Sequence, residues 1–481
     1  MSLIVETVTG RSLAELKAAR DAVADADMVE LRLDGVADID VAGALAGRTR
    51  PVIVTCRPTW EGGRFDGSED ERLRILGQAI QLGAEYVDVE WQANRTTLPA
   101  SDRTAIVLSR HDFEGVPPDL TNLVRAMRAE RPAVVKIAVN ATCLDDCLKL
   151  RAVADGAVTQ VLIAMGPAGQ ATRLWPAGWR SYWTYAGTAA PGQISAAMLA
   201  NCYRVRETTA STEVYAIAGR PLGHSASPAM HNVALAEAGL DAVYLPLETS
   251  DASEFLAVAD ALGVRGASVT VPLKGPLAKA VSGKSKSGAP PAAINTLRRG
   301  ADGWDAENFD VHGFLAPFDR RSWDLRGLRV VVLGAGGAAW AVVSALTSRG
   351  ASVAVSARKA DAAAALAAAF NVETVTWPPS PGWDLLVNAT TVGMWPHIDQ
   401  SPIEKALVSG PRVYDLVYNP PETMLLRWAR EAGAETIGGL EMLVGQACHQ
   451  FEWWTGRTAP KAIMARAARE FVNGLREESG T

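Results

Sequence analysis

An apolar, β-branched run returns eight times between residues 3 and 206: Leu3–Val8, Met28–Leu33, Pro51–Cys56, Tyr86–Trp91, Ala105–Ser109, Ala133–Val139, Thr159–Met165 and Arg180–Ala186. Segments with helical periodicity lie between most of them, as at Leu13–Val23, Arg72–Leu82, Leu120–Arg128 and Leu144–Val153. Near-continuous hydrophobic strands alternating with helices mark parallel βα units buried on both faces. Eight such units in about 200 residues predict a closed (β/α)8 barrel, with an open doubly wound sheet as the competing arrangement.

The chain runs on well past that repeat. Its 481 residues exceed one ordinary core, and roughly three structural units are expected. The polar patch Glu207–Glu213 is the best linker, and a new apolar run, Val214–Ala218, follows it. The boundaries read as a first domain over 1–208 and a substrate domain over 213–317, completed by helices over 441–478. A dinucleotide-binding domain occupies 318–440. A net charge of −6 argues against nucleic acid as a partner. No apolar stretch reaches the ~18 residues that a membrane-spanning helix needs. The opening MSLIVETVTG enters a strand without signal or transit character, and five scattered cysteines suit a reducing compartment, so a cytoplasmic location is expected. Cys143 and Cys147 lack nearby partners for zinc, and no metal constellation is apparent. Oligomeric state is not legible.

In a barrel of this kind, chemistry sits at the C-terminal ends of the strands. The polar residues there are Glu30, Arg32, Arg57, Glu61, His111, Lys136, Arg173 and Gln193. Lys136 is the sharpest, because it interrupts Ala133-Val134-Val135-Lys136-Ile137-Ala138-Val139. A lysine desolvated in such a strand has a depressed pKa and can attack a ketone to form a Schiff base. The other reading is a lysine snorkelling to the barrel mouth. His111 has the range for proton transfer, and Arg32, Arg57 and Arg173 suit a carboxylate.

Five motifs in order resemble type I 3-dehydroquinate dehydratase: Val29-Glu30-Leu31-Arg32-Leu33-Asp34, Cys56-Arg57-Pro58-Thr59-Trp60-Glu61, Ser109-Arg110-His111-Asp112-Phe113, Val135-Lys136-Ile137 and Ala190-Pro191-Gly192-Gln193. The resemblance implies that Lys136 forms the imine, His111 moves protons and Glu61 orients His111. It also implies that Glu30, Arg32, Arg57, Arg173 and Gln193 hold the substrate. The family's Ser before the last motif is Ala189 here, preceded by Thr188, which can supply the hydroxyl.

In the second half, the run Val330–Leu333 leads into Gly334-Ala335-Gly336-Gly337-Ala338-Ala339 and a helical segment. Strand, glycine turn and helix are the context in which GxGxx(G/A) binds a dinucleotide pyrophosphate. The following strand-like run, Ser352–Ser356, ends in Arg358 and Lys359 instead of a carboxylate, which favours the 2′-phosphate of NADP(H). Solvated loop charges are the plainer account of that pair. Upstream, Lys274 with Asp310 can supply the proton and charge stabilisation that reduction of a ketone needs. Ser225, Ser227, Thr270 and Asn295 are candidate ligands, and Asn388 and Thr390 are expected near the nicotinamide. His231 and His449 lie in helical contexts and read as structural.

Residues 214–475 resemble shikimate dehydrogenase through His224-Ser225-Ala226-Ser227-Pro228, Val269-Thr270-Val271-Pro272-Leu273-Lys274, Ile294-Asn295-Thr296, the glycine turn, Asn388-Ala389-Thr390 and Met442-Leu443-Val444-Gly445-Gln446. The resemblance implies Lys274 and Asp310 as catalytic dyad. Ser225, Ser227, Thr270, Asn295, Tyr418 and Gln446 would bind the substrate, and Gly439 would lie at the cofactor. The family's Asp-Asn-Thr-Asp-Gly reads here Glu307-Asn308-Phe309-Asp310-Val311. Together the halves imply a bifunctional enzyme that dehydrates 3-dehydroquinate and reduces the product to shikimate with NADPH. The alternatives are a dehydrogenase half that prefers quinate, and a metabolite sensor built on the same folds.

Overall fold

The computed structural model describes residues 1–187, 193–281 and 294–479. The chain divides into two compact units: 1–216 with 241–249 and 253–264, and 217–240 with 250–252 and 265–481.

In the first unit, eight parallel strands form one sheet: β1 (Leu3–Val8), β2 (Met28–Arg32), β3 (Val52–Thr55), β4 (Tyr86–Glu90), β5 (Ala105–Asp112), β6 (Val134–Asn140), β7 (Gln160–Met165) and β8 (Trp183–Ala186). Their order, β7-β6-β5-β4-β3-β2-β1-β8, is that of the expected barrel. The seam between β7 and β8 is joined by Tyr182 N–H donating to Gln160 O at 2.8 Å. Across it, Leu162 N–H also donates to Ser181 Oγ at 2.9 Å. The last strand therefore begins at Trp183, not Arg180. Arg180 takes a left-handed conformation (φ 53°) that ends the turn Pro176–Trp179.

Strand side chains alternate with a period of two, so residues i and i+2 share the barrel interior. The inner core contains Val5, Met28, Ile53, Val107, Val134, Val161 and Trp183. Two residues further along the same strands come Thr7, Glu30, Thr55, Ser109, Lys136, Ile163 and Tyr185. An apolar floor thus carries a polar layer at the C-terminal mouth, as barrel geometry requires of a site. β5 runs through Asp112, which holds His111 on a strand and not on a loop. The patch expected as a linker is fastened to the barrel. Arg206 Nε donates to Asp27 at 3.0 Å, and Trp175 Nε1 donates to Thr209 O at 2.9 Å.

In the second unit, β11 (Val264–Val269), β12 (Thr296–Gly300) and β13 (Gly303–Glu307) pair antiparallel in that order. They follow β9 (Glu213–Gly219) and β10 (Ala242–Glu248) in sequence. A six-stranded parallel sheet comes next: β14 (Arg329–Leu333), β15 (Ser352–Ser356), β16 (Glu373–Thr374), β17 (Leu385–Asn388), β18 (Arg412–Asp415) and β19 (Glu435–Gly438). Its order, β16-β15-β14-β17-β18-β19, reverses direction at β14, whose C-terminal end is the crevice where such sheets bind ligands.

The Asp310–Arg321 helix crosses the Gly439–Thr455 helix at Gly313 and Gly445. A Cβ on Gly313 would lie 2.7 Å from Met442 O and 2.8 Å from Gln446 N, both backbone atoms that cannot yield cheaply. Gly313→Ala is therefore expected to destabilise the second unit by about 1–3 kcal/mol, as overpacking does. Urea unfolding measures this, and an unchanged midpoint would contradict so close a crossing.

Candidate active sites

The mouth of the barrel is a cleft lined by Glu30, Arg32, Arg57, Glu61, His111, Lys136, Arg173 and Gln193, together with Thr7, Gly62, Phe113 and Tyr185. It gathers every barrel residue proposed from sequence except Thr188, which with Ala189 lies outside the described residues.

At its centre is a residue that sequence reasoning missed. Asp88, fully buried on β4, accepts Lys136 Nζ at 2.9 Å on one oxygen. Its other oxygen accepts Arg57 Nη2 at 2.9 Å and Ser109 Oγ at 2.6 Å. Burial opposes its charge, but Arg57 and Lys136 hold the carboxyl far below the usual range. The same contact corrects the expectation for Lys136. Burial does push its pKa down, but Asp88, Tyr185 and Glu30 outweigh it and hold the ammonium above its ordinary value. Nζ also lies 4.3 Å from the centre of the Tyr185 ring and 3.5 Å from Glu30 Oε1. At rest, then, Lys136 is a cation. Glu30 is fixed by Thr7 and Thr55, whose hydroxyls donate at 2.8 and 2.9 Å.

Arg57 is committed as well. It donates to Glu90 at 2.6 Å, and Arg72 donates to the other oxygen of Glu90 at 2.5 Å. Arg57 therefore serves the buried ion network as much as the cleft. Arg32 forms a two-point pair with Asp34 at 2.8 and 2.9 Å, and burial pulls Arg173 down to about 10. The signal for Asp88 and Glu90 was present in Tyr86-Val87-Asp88-Val89-Glu90, two acids within a buried strand.

His111 Nδ1 and Glu61 Oε2 lie 2.9 Å apart, and the same oxygen accepts the His111 backbone N–H at 3.1 Å. Burial, then Arg57 and Lys136, holds the imidazole well below its ordinary pKa, so it is neutral and able to accept a proton. Burial pushes Glu61 up to about 7, against the pull of Arg57 and Arg110. The two titrate as a pair.

The second unit joins Lys274, Asp310, Asn295 and Gln446 directly. Lys274 Nζ donates to Asp310 Oδ2 at 2.5 Å, and Asn295 Nδ2 donates to Asp310 Oδ1 at 2.8 Å and to Gln446 Oε1 at 3.3 Å. Asn308, also missed, accepts the Asp310 N–H at 2.9 Å. Gln450 is a further missed support, bridging Thr296 Oγ1 and Ser268 Oγ at 2.9 Å each. Ser225 lies in the turn after β9 and Ser227 opens the Ser227–Glu237 helix, where Ser225 Oγ accepts the Ser227 N–H at 3.3 Å. Thr270 follows β11 and packs against Gly219, whose Cβ would lie 2.3 Å from the Thr270 methyl. Tyr418 follows β18, and burial raises its pKa.

The glycine turn leaves β14 at its C-terminal end. Gly334 takes φ 102°, and Gly336 has open space where a side chain would stand. A backbone cradle open to a pyrophosphate at the start of the Gly337–Ser348 helix fits a dinucleotide. Gly337 faces Lys274, its added Cβ 3.9 Å from Lys274 Cδ. Arg358 and Lys359 stand exposed just beyond β15, where a 2′-phosphate would lie. Asn388 is buried, and its side chain holds Asp415 at 2.9 Å and accepts Thr390 Oγ1 at 2.7 Å, shaping the turn beside the cradle. Gly439 packs against the segment that follows β18 with no room for a Cβ, which would lie 2.1 Å from Leu416 O.

Fold and site together define a lysine-bearing (β/α)8 enzyme joined to a dinucleotide-dependent dehydrogenase. Family models match in the same order: type I 3-dehydroquinase over residues 4–210, the shikimate dehydrogenase substrate binding domain over 217–297, and the shikimate 5′-dehydrogenase C-terminal domain over 439–469. A chloroplastic bifunctional 3-dehydroquinate dehydratase/shikimate dehydrogenase of Arabidopsis thaliana is 33% identical over 91% of this chain and 79% of its own. The shikimate dehydrogenase (NADP(+)) of Moorella thermoacetica is 39% identical over 55% of this chain and 95% of its own. A solved shikimate dehydrogenase in complex with NADP+ superposes with a TM-score of 0.52 at 31% identity, covering 55% of this chain and 97% of that one. The chain belongs to the family of bifunctional 3-dehydroquinate dehydratase/shikimate dehydrogenases.

The Glu61–His111 pair generates a pH dependence. Dehydration is expected to fall as pH drops through about 7, where Glu61 gains its proton and no longer offsets the positive charge His111 acquires when it takes a proton. Glu61→Gln should lower kcat about 10²-fold and remove that inflection. A pH–rate profile checks it; an inflection that persists in the variant would contradict the pairing.

Proposed function

We infer that Lys136, His111 and Glu61 carry the dehydration of 3-dehydroquinate, and that Lys274 and Asp310 carry the reduction that follows. The enzyme is a lyase and an NADP-dependent oxidoreductase in one chain. The observation that carries the first half is Lys136, buried on β6 against Asp88 in one cleft with the His111–Glu61 pair.

For imine formation the Lys136 ammonium gives up one proton, and neutral His111 is the acceptor available in the cleft. Nζ adds to the ketone carbon, His111 returns its proton to the carbinolamine hydroxyl, which leaves as water, and a cationic imine and a neutral His111 result. Its positive nitrogen stays beside the Asp88 carboxylate, which offsets the charge. The imine draws electrons from the adjacent C–H bond; His111 takes that proton and returns one to the departing hydroxyl, which leaves as water. A second water then hydrolyses the imine, freeing 3-dehydroshikimate and Lys136. Glu30, Arg32, Arg173, Gln193 and Thr188 are the proposed substrate ligands, with Arg57 holding the network beneath them.

In the second half, NADPH supplies a hydride when bound at Gly334–Ala338, with Arg358 and Lys359 toward the 2′-phosphate and Asn388, Thr390 and Gly439 around the nicotinamide. Lys274, kept in place by Asp310, gives a proton to the carbonyl oxygen as it becomes the alcohol. Asn295, Gln446, Ser225, Ser227, Thr270 and Tyr418 are assigned to the substrate's hydroxyls and carboxylate. Quinate as the preferred alcohol finds no support in the relatives, which are named for shikimate.

The proposed domain boundaries remain 1–208, 213–317 with 441–478, and 318–440; the matched spans 4–210 and 217–297 support a division between the first two. A cytoplasmic setting accords with the free thiols of Cys56, Cys143, Cys147, Cys202 and Cys448. Among the described residues no helix is long and apolar enough to cross a membrane.

Borohydride added with 3-dehydroquinate should fix one adduct on Lys136, and Asp88→Asn should move the trapping profile to lower pH by releasing the ammonium. Peptide mass spectrometry across pH checks both. An unmodified Lys136 would remove the imine mechanism, and an unshifted profile would remove the role of Asp88.

A further inference from the structure

Phe309 stands where the resemblance places a threonine, immediately before Asp310, and caps the Asp310–Arg321 helix. Its N–H donates to Asn295 Oδ1 at 2.9 Å, while Asn295 Nδ2 donates to Asp310 Oδ1 at 2.8 Å. One side-chain amide thus ties the backbone of Phe309 to the carboxylate of Asp310. The Phe309 ring lies against three others: His449 at 5.9 Å and nearly parallel (16°), Trp453 edge-on at 5.7 Å, and His312 at 5.8 Å. His449 and Trp453 follow Gln446 along one face of the Gly439–Thr455 helix at helical spacing. The rings therefore join the two helices that bring Asp310 and Gln446 to Asn295.

We propose that Phe309, clamped by His449, Trp453 and His312, is a positioning residue of the dehydrogenase site that fixes Asp310 for Lys274, and that His449 makes this hold sensitive to acid. The inference rests on the reading of Lys274 and Asp310 as the proton-delivering pair. His312 and His449 are 5.0 Å apart, so a charge gained by His449 forms inside the ring cluster. The charges facing His449 are Glu452 on its own helix, 4.0 Å from Nδ1, then Lys461 and His312. Arg298 of β12 lies across Trp453, 4.3 Å from that ring. Burial and His312 both hold His449 below its ordinary pKa, so its ring stays neutral to lower pH than a free imidazole would. His449, read from sequence as structural, becomes part of the acid response.

The test uses the full-length chain reducing 3-dehydroshikimate, with NADPH affinity reporting that the second unit is folded. Phe309→Ala should lower kcat about tenfold, as misplacement of a catalytic group does, with NADPH affinity unchanged. His449→Phe keeps a ring in the stack but cannot titrate, so the acid limb of kcat should move to lower pH. A wild-type kcat in F309A, or an unmoved acid limb in H449F, would overturn the proposal. Should F309A fail to bind NADPH, Phe309→Leu, which keeps bulk without ring stacking, is read instead: a fall in kcat supports the proposal and a wild-type value overturns it. Lys274→Met separates the two readings. Reduction surviving in K274M sinks the proton-delivering pair itself, whereas its loss there with a wild-type F309A sinks only the role of Phe309.

Discussion

The carboxylate of Asp88 is the interaction on which the barrel site depends. It is shared by Lys136, Arg57 and Ser109, and Arg57 passes the network on to Glu90 and Arg72. Two cations that close would repel without it, and a buried carboxylate would be unstable without them. The arrangement resolves a chemical conflict. Imine chemistry begins with a neutral amine and proceeds through a cationic nitrogen at the same place. A fixed anion beside Nζ favours the cationic stages, and a neutral imidazole nearby can take the proton that must leave first.

The dehydrogenase unit solves its own problem with a different device. Asn295 sits at the meeting of β12, the Asp310 helix and the Gln446 helix, and its single amide contacts Asp310, Phe309 and Gln446. Close crossing at Gly313 lets those helices approach, and aromatic rings beyond the crossing hold them together. Positioning here comes from one shared amide and the close packing of two helices, whereas in the barrel it comes from a buried charge network.

The barrel was legible because eight strands buried on both faces leave long apolar runs that few other folds would produce. The layer of the site was legible too, since Lys136 interrupts an apolar strand run, and a strand's period of two places Glu30 and Ser109 in the same ring. What failed was the sign of the Lys136 shift. Burial alone lowers a lysine's pKa, and the anion that reverses this lies on β4, 48 residues away in sequence. Asp88 and Glu90 were visible as acids in a buried strand, but nothing local says which cation each one meets. Likewise, Arg180 looked like part of a strand, and only the backbone turn at that residue and the hydroxyl of Ser181 show where the ring is joined. In the second unit the glycine turn and Lys274 announced themselves, while Asn308 and Gln450 act through hydrogen bonds to backbone and neighbours that no short motif encodes.

The central claim is that the two sites work in succession on one carbon skeleton. It is tested most directly by following NADPH oxidation by the purified full-length chain with 3-dehydroquinate as the sole carbon substrate. The account predicts steady consumption, abolished by Lys136→Ala and restored in that variant by adding 3-dehydroshikimate. A flat trace from the unmodified chain, or consumption that survives the loss of Lys136, would contradict it.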